Sequence, residues 1–410
     1  MSPILSALLR NKTGAVLVAL QVAISMAILS NALHIVNVRQ ATAARPSGIA
    51  DEKSVFNISS RYLTVETAEY DRALQQREMD LLRATPGVQS VAAVSQMPMS
   101  NSGRMGSVSL DRKQVNETAH TAVYHASETL LATWQLKLVE GRDFTAADVV
   151  IVDNRVSSET AKTIIISKAL ANKVWPDQAS VVGKTLLFGV GESAVESQVI
   201  GVVERLQTSN AQMGDEGEYS MIVPYRVIGG TPGANYAVRT APGQRDRVIK
   251  EAQAAMTKSA GVPVMVEAKT AEGDRKNRYR ADMALSWTLV AVSALLLVIT
   301  ASGIVGMASL WVTQRRKQIG VRRALGARRA DILRYFITEN MMITTAGVLA
   351  GVVLAIGLNQ LLVTTLELPR LPLAYLGGGM LTLWGLGILA VYGPASRAAA
   401  VPPAIATRSA

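Results

Sequence analysis

Residues 283–314 read MALSWTLVAVSALLLVITASGIVGMASLWVTQ and contain no Asp, Glu, Lys or Arg. About 20 apolar residues are enough for a helix to cross a hydrocarbon layer of about 30 Å. Trp287 and Trp311 lie 24 residues apart, which corresponds to about 36 Å of helix at 1.5 Å per residue. That spacing places one indole at each headgroup layer, so the stretch is predicted to span a membrane.

Three further stretches without charged residues have comparable length, at residues 14–38, 340–366 and 371–396. A buried helix of a soluble protein is seldom this long, and 49% of all residues are apolar. The apolar run of the first stretch exceeds the roughly 7–15 residues of a signal peptide, so we interpret it as an anchor. The sequence therefore predicts an integral membrane protein with four α-helical spans.

The distribution of Lys and Arg predicts the orientation of the spans, because short cytoplasmic loops are enriched in them. Eight basic residues lie in residues 315–339, which we call the basic loop. The basic loop, the N-terminus (1–13) and the tail (397–410) are predicted to be cytoplasmic, whereas the turn 367–370 and the domain 39–282 are predicted to be outside.

Net charge argues against a nucleic-acid partner. The chain carries a net charge of +11, but residues 39–282 contain 29 basic and 28 acidic residues. The excess positive charge therefore lies in the segments that border the lipid membrane. A nucleic-acid-binding protein would instead carry a basic face on its large soluble part.

Residues 39–282 are predicted to form a large mixed α/β periplasmic domain between the first and second spans. Residues 67–84 show helical spacing of apolar residues and precede a strand-like segment at 88–94. A second helix–strand unit is expected over 163–203, and a third pairs a helix at about 244–258 with a strand at 264–266. The basic segment 270–282 is expected to be a solvated helical stalk that continues into the second span.

The sequence offers little for catalysis. It has no cysteine and three separated histidines, so thiolate sites are excluded and a histidine metal site is not expected. Gly183-Lys184-Thr185 has Gln178 where a phosphate-binding loop needs glycine. We therefore predict no catalytic residue, no metal site and no cofactor bound by this chain. His34, the one ionisable residue within the uncharged stretches, is interpreted as an interfacial residue.

Small residues recur every fourth position in the third span, at Gly347, Gly351 and Ala355. Such a stripe lets two helix backbones approach closely. The partner helix is either in the same subunit or across a dimer, and the sequence leaves both alternatives open.

The basic loop alternates apolar and basic residues. Ile319, Leu325 and Ile332 are interspersed with arginines, and Gly326 can provide an elbow between two short helices. Such a helical hairpin can insert apolar side chains into a groove while its arginines contact acidic groups or lipid phosphates.

The run Gln318-Ile319-Gly320-Val321-Arg322-Arg323-Ala324-Leu325-Gly326-Ala327 resembles the R-E-I-G-[IV]-R-[RK]-A-L-G-A motif of FtsX-type ABC transporter permeases. Residues 138–144, 181–185, 200–203 and 394–399 are similar to segments of the MacB-like permeases of that family. Gln318 departs from the family pattern, which usually has Glu at this position.

The resemblance implies a dimeric permease, homo- or heteromeric. Its periplasmic domain is expected to contain a porter-like part and an inserted second part at about residues 138–212. It also implies that the basic loop docks on an ABC ATPase, which binds ATP and Mg and transmits its motion to the periplasm by mechanotransmission. Because the chain begins about ten residues before the first span, the ATPase is expected on a separate chain. The residues that the resemblance assigns to this contact are Ile319, Gly320, Arg322, Arg323, Ala324, Leu325, Gly326 and Ala327.

By this resemblance, the protein is expected to be a non-catalytic permease subunit in the bacterial inner membrane. It would drive export of a peptide, an antibiotic-like compound or a lipoprotein, with a periplasmic membrane-fusion protein and a TolC-like outer-membrane channel as further partners. The alternative is an FtsX-like regulator that activates a periplasmic cell-wall hydrolase and exports nothing.

Overall fold

The computed structural model describes residues 12–63, 67–153, 160–229, 233–366 and 369–400. Residues 42–281 form one compact unit, the α/β domain. The described residues of 12–41 and 282–400 form the other, the membrane unit. The predicted N-terminus (1–13), turn (367–370) and tail (397–410) lie partly outside the described residues.

Four long helices supply the membrane unit, two of them with one end in the α/β domain, and all are long and apolar enough to cross a membrane. They are α1 (Lys12–Ala43), α6 (Ala271–Gln314), α8 (Arg329–Leu366) and α9 (Leu373–Ala399), with the short α7 (Arg316–Ala324) between α6 and α8. Each predicted span lies within one of these helices, apart from the first residues of the fourth. The α1 helix is the most enclosed, with 56% of its most apolar window buried against 17–33% in the other three.

The two tryptophans of α6 have different surroundings. Trp287 is 69% exposed, as expected for an indole at a headgroup layer. Trp311 is only 5% exposed and packs in the core of the membrane unit with Val18 and Ile319. The Trp311 ring is therefore used for helix packing, and its position at a headgroup layer stays a prediction.

The small-residue stripe of α8 packs against α1 of the same chain. A Cβ atom added at Gly347 would lie 2.6 Å from the carbonyl oxygen of Ala19, and one added at Gly351 would lie 2.5 Å from Cβ of Met26. Ala355 is fully buried, and its carbonyl accepts a hydrogen bond of 3.0 Å from Nδ2 of Asn31. Of the two alternatives, the structure shows packing within the subunit.

Polar side chains also connect the helices. Ser25 on α1 and Thr300 on α6 are hydrogen-bonded through their hydroxyls at 2.7 Å. His34 is 5% exposed, with Nε2 3.2 Å from the carbonyl of Pro369 and its ring 5.1 Å from that of Tyr375. These bonds satisfy polar atoms that lipid could not solvate.

The first part of the α/β domain is a four-stranded antiparallel sheet with two helices. Its elements are β1 (Val55–Tyr62), α2 (Ala68–Ala84), β2 (Val88–Ala93), β12 (Gly233–Thr240), α5 (Arg245–Ser259) and β13 (Val264–Thr270), and the strand order is β13-β1-β12-β2. Thr67 begins α2, because its hydroxyl accepts a hydrogen bond from the backbone N–H of Tyr70 at 3.1 Å. Leu82 of α2 and Val248 of α5 pack with Phe56 of β1 in one buried cluster.

The second part is inserted between β2 and β12. It contains the seven-stranded sheet β5-β9-β7-β10-β4-β3-β8, in which β8 also pairs with β9 and closes the sheet on itself, and the pair β11-β6. Its elements are β3 (Met105–Ser109), β4 (Ala119–His125), α3 (Leu130–Trp134), β5 (Leu138–Gly141), β6 (Val150–Asp153), β7 (Thr163–Ser167), α4 (Lys168–Val174), β8 (Thr185–Phe188), β9 (Val195–Val203), β10 (Ser220–Val223) and β11 (Tyr225–Ile228).

The inserted part is longer than the predicted range of about 138–212. Its sheet takes strands from β3, which begins at Met105, to β10, which ends at Val223. The register pairs Ser220 with Ala122 in parallel. The sheet therefore needs segments nearly 100 residues apart, so it cannot be assembled from 138–212 alone.

The start of α6 is fastened to the α/β domain and is not a solvated stalk. Arg275 donates to both carboxylate oxygens of Glu52, at 2.6 and 2.8 Å, and to the carbonyls of Ala43 and Arg45. Nε of Arg278 donates to the carbonyl of Asn210 at 2.7 Å. The prediction of a solvated stalk is wrong at Arg275 and Arg278, because both side chains are partly buried and hydrogen-bonded to the α/β domain.

The packing of α8 on α1 predicts opposite effects for two glycine substitutions on one helix. Gly351→Ala should lower the thermal unfolding midpoint of the purified protein, since overpacking costs about 1–3 kcal/mol and the new methyl group would meet Met26 and Ala23. Gly357→Ala is the matched control, because its added Cβ has no neighbour within 4 Å in the described residues and Ala favours a helix by about 1 kcal/mol. Equal midpoints for the two variants would contradict the packing described.

Candidate functional site

The basic loop is held to the membrane unit by a buried ion pair. Nη1 of Arg315, the residue between α6 and α7, lies 2.7 and 2.9 Å from the two carboxylate oxygens of Glu339 on α8. The Glu339 side chain is 1% exposed and that of Arg315 is 16% exposed. The pair fixes the point from which α7 departs.

Sequence reasoning missed this pair. The sequence does contain a signal for the pair, because the basic loop has only two acidic residues, Asp331 and Glu339, beside its eight basic residues. An acidic residue directly before an apolar span needs a partner, because an unpaired buried charge is costly.

A glycine-dependent motif ends α7. The backbone N–H of Gly326 donates to the carbonyl of Arg323 at 3.2 Å, and that of Ala327 donates to the carbonyl of Arg322 at 3.1 Å. This is the Schellman pattern, which requires a residue in the left-handed conformation, and Gly326 has φ +98°. The predicted elbow at Gly326 is confirmed.

The sequence predicted a second short helix after the elbow, and this prediction is wrong. The segment after the elbow is the start of α8, which runs without a break from Arg329 to Leu366. The carboxylate of Asp331 accepts a hydrogen bond of 2.8 Å from the backbone N–H of Arg328, as in a capping box. The charged residues up to Glu339 mark where the predicted apolar span begins. The helix itself begins earlier, at Arg329.

Not all of the predicted contact residues are available to a partner. Ile319 is 5% exposed and packs with Ile332 and Phe336 in the core of the membrane unit. Gly320 is also buried. These two residues hold α7 against its own chain, and a direct contact of theirs with a partner stays a prediction.

The outward side of α7 carries a small apolar centre. Lys317, Gln318, Val321, Ala324 and Leu325 are all exposed, and at 100° per residue they share one side of the helix; we call them the outer face. Val321 and Leu325 are 51% and 83% exposed. Val321 was not among the predicted contact residues, although its i, i+4 spacing from Leu325 indicates a shared side.

Arginines border this outer face. The guanidinium of Arg322 lies 4.9 Å from the centre of the Tyr335 ring, an arrangement that favours the cation electrostatically. Nη1 of Arg323 donates to the carbonyl of Ala327 at 3.3 Å. An apolar centre bordered by arginines suits a groove with an apolar floor and an acidic rim.

Comparison with known proteins gives two family matches. The family described as the MacB-like periplasmic core domain matches residues 15–258, and the family described as the FtsX-like permease C-terminal matches residues 290–403. Among the residues that the structure describes, no group of three or more His, Asp or Glu side chains could hold a metal ion.

Curated relatives include two export proteins. The chain is 27% identical over 297 residues to the pyoverdine export ATP-binding/permease protein PvdT of Pseudomonas syringae pv. syringae, covering 68% of this chain and 41% of that protein. It is 29% identical over 287 residues to the macrolide export ATP-binding/permease protein MacB of Marinobacter nauticus, covering 67% and 41%. The chain thus spans about two fifths of the length of these relatives.

The chain was also compared with solved structures. The periplasmic region of MacB from Actinobacillus actinomycetemcomitans is 15% identical, with a TM-score of 0.36, and the match covers 58% of this chain and 97% of that one.

The buried ion pair predicts a non-additive double-mutant cycle. Removing one partner leaves an uncompensated charge, which costs about 3–5 kcal/mol, whereas replacing both by apolar residues is often nearly neutral. Arg315→Met alone should therefore lower the free energy of unfolding by about 3 kcal/mol, and adding Glu339→Leu should restore most of it.

Denaturant unfolding of the purified protein measures these values. Arg334→Met is the control, because Arg334 is exposed in the same loop and has no ion pair among the described residues. If Arg315→Met and Arg334→Met unfold alike, the pair does not hold the loop.

Proposed function

This chain belongs to the MacB-like permeases with an FtsX-like C-terminal part, and we propose that it passes the motion of an ATP-hydrolysing partner to its α/β domain. The family places the chain among the ABC transporter permeases of the bacterial inner membrane. The contact with the partner, the direction of the helices and the transported compound are part of the proposal.

The observation that carries the proposal is the outer face of α7. Its apolar centre is exposed although the helix around it is held firmly by the Schellman motif at Gly326 and by the Arg315–Glu339 pair. A rigid surface loses little conformational entropy when a partner docks on it. The matching partner surface is a groove on an ABC ATPase that binds ATP and Mg.

The orientation follows from the charge of the loop. With its eight basic residues, the basic loop is proposed to be cytoplasmic, together with both termini. The α/β domain is then periplasmic, and the ATPase docks on the opposite side of the membrane from it.

A single helix provides the route for the motion. The 44 residues of α6 extend about 66 Å, and β13 passes directly into α6 at Ala271. Arg275 fastens the start of α6 to Glu52. A displacement of α6 is therefore delivered to the four-stranded sheet and is not lost in a flexible linker.

We propose export of a peptide, an antibiotic-like compound or a lipoprotein; the relatives PvdT and MacB are named for the export of pyoverdine and of macrolides. The ATPase is proposed to be a separate chain, and a second permease subunit completes a dimer. A membrane-fusion protein and a TolC-like channel are the proposed periplasmic partners. Co-purification of a cell-wall hydrolase in place of these two would favour the FtsX-like regulator.

The coupling proposal predicts that one charge on the outer face uncouples the motor. Leu325→Asp should weaken ATPase binding at least tenfold, because burying one leucine contributes about 1.5–3 kcal/mol and the carboxylate must also be desolvated. Stimulation of ATP hydrolysis should be lost in proteoliposomes that contain the ABC ATPase that copurifies with the wild-type chain.

Leu373→Asp is the matched control. Leu373 is 81% exposed, almost as exposed as Leu325, but it begins α9 at the other end of the spans. This variant should stimulate the ATPase like the wild-type chain. Normal stimulation by Leu325→Asp would overturn the proposed contact.

A further inference from the structure

A cavity of about 400 Å³ lies between the two parts of the α/β domain. The chain leaves the first part along Ala93–Gln96, returns along Tyr225–Val227 and re-enters the first sheet at Gly233–Asn235, and all three segments line the cavity. Its volume is in the range of small-molecule sites, about 300–1,000 Å³. We call it the cleft.

One side of the cleft is apolar. Val94, which is 4% exposed, lines it together with Val227 and Ala234. The ring of Tyr225 also lines it and packs edge-on against His125 with 5.1 Å between the ring centres. These groups provide a surface for a hydrocarbon or aromatic body.

The cleft also contains two arginines without a carboxylate partner. The guanidinium of Arg104 makes no hydrogen bond or ion pair with the described residues. Arg226 donates only to neutral acceptors, namely Oε1 of Gln75 at 3.4 Å, Oε1 of Gln76 at 3.1 Å and the carbonyl of Arg72 at 3.5 Å. An arginine stays protonated at neutral pH, so both groups carry a positive charge that no directly bonded carboxylate neutralises among the described residues; Glu128 acts on Arg226 only from a distance.

The backbone of Arg104 is fixed before any ligand arrives. The side chain of Gln96, itself 6% exposed, accepts a hydrogen bond from the backbone N–H of Arg104 and donates to its carbonyl. These bonds fix the point from which the Arg104 side chain extends, whereas its exposed guanidinium must still lose conformational freedom on binding.

The other titratable groups of the cleft offset only part of this charge, because the lining contains one carboxylate beside the two arginines. The carboxylate of Asp71, the one acidic side chain among the described lining residues, already accepts hydrogen bonds from the backbone N–H of Gly229 at 2.9 Å and from Gln75 at 3.3 Å. Burial, together with the charge of Arg104, lowers the pKa of His125 to about 4. His125 is therefore neutral at pH 7, and its ring nitrogens have no hydrogen-bond partner among the described residues.

We propose that the cleft binds a small amphipathic organic anion. Its carboxylate, sulfonate or phosphate is held by Arg104 and Arg226, and its apolar body lies against Val94, Val227 and Tyr225. The site lies entirely within the α/β domain, so it does not depend on the proposed docking of an ATPase on α7.

The test compares two probes of nearly equal shape, naphthalene-2-sulfonate and the neutral naphthalene-2-sulfonamide. Their binding to the full chain in phosphatidylcholine nanodiscs is measured by calorimetry, with empty nanodiscs subtracted. We expect one sulfonate site per chain, bound at least about tenfold more tightly than the sulfonamide, since a hydrogen bond to a charged group contributes about tenfold or more in affinity.

Arginine variants locate the site. Arg104→Gln and Arg226→Gln should each weaken sulfonate binding about tenfold and leave sulfonamide binding unchanged. Arg112→Gln is the matched control, because Arg112 is in the same domain, is paired with Glu196 and does not line the cleft. The exposed position of Arg104 keeps the test valid if Arg226→Gln disturbs folding.

Two results would overturn the proposal. One is equal affinity for the sulfonate and the sulfonamide. The other is sulfonate binding that Arg104→Gln leaves unchanged, which would place the bound anion elsewhere on the chain.

Discussion

Lipid solvates neither a backbone amide nor a charge, and this constraint determines the membrane unit. Every span is an unbroken helix, because only a helix satisfies its own backbone groups in hydrocarbon. Because lipid is as apolar as the side chains, the hydrophobic effect does not hold helices together inside a membrane. They associate through close packing instead. In this chain α8 meets α1 through Gly347 and Gly351, where a Cβ would collide with backbone or side-chain atoms of α1. The packed helices of the membrane unit, which we call the frame, are therefore rigid at the point where the basic loop begins.

Because the frame is rigid, it holds α7 of the basic loop in a fixed position with one side exposed. Arg315 and Glu339 form their pair where α6 ends, and Gly326 reverses the chain within a few residues. Ile319 is used to pack α7 onto the frame, and only the opposite side of the helix remains available. The motif at residues 318–327 thus contains two kinds of residue: some build the surface and others hold it in position.

The sequence predicted the four spans and the helix–strand units well, because uncharged length and apolar periodicity are local properties. It predicted less well what depends on distant partners. The strand Met105–Ser109 has little apolar signal of its own, and its place in the second sheet depends on pairing with Ala119–His125 and Thr185–Phe188. Ile319 and Leu325 are both apolar residues of one motif. Only the packing of α7 shows that Ile319 points inward and Leu325 outward. The elbow at Gly326 was predictable, because it needs only a left-handed residue at a helix end.

The first sheet connects the cleft to α6. The cleft is lined by the end of β2 and the start of β12, and the strand order β13-β1-β12-β2 carries the same sheet across to β13, which passes into α6. Backbone hydrogen bonds join each neighbouring pair of strands, and in this register Ile58 lies opposite both Tyr236 and Ala268. Under the proposed coupling, a movement of α6 would therefore reach a strand that borders the cleft. Coupling between two sites is reciprocal, so an anion that binds one arrangement of this sheet more tightly would bias the position of α6 by the same free energy.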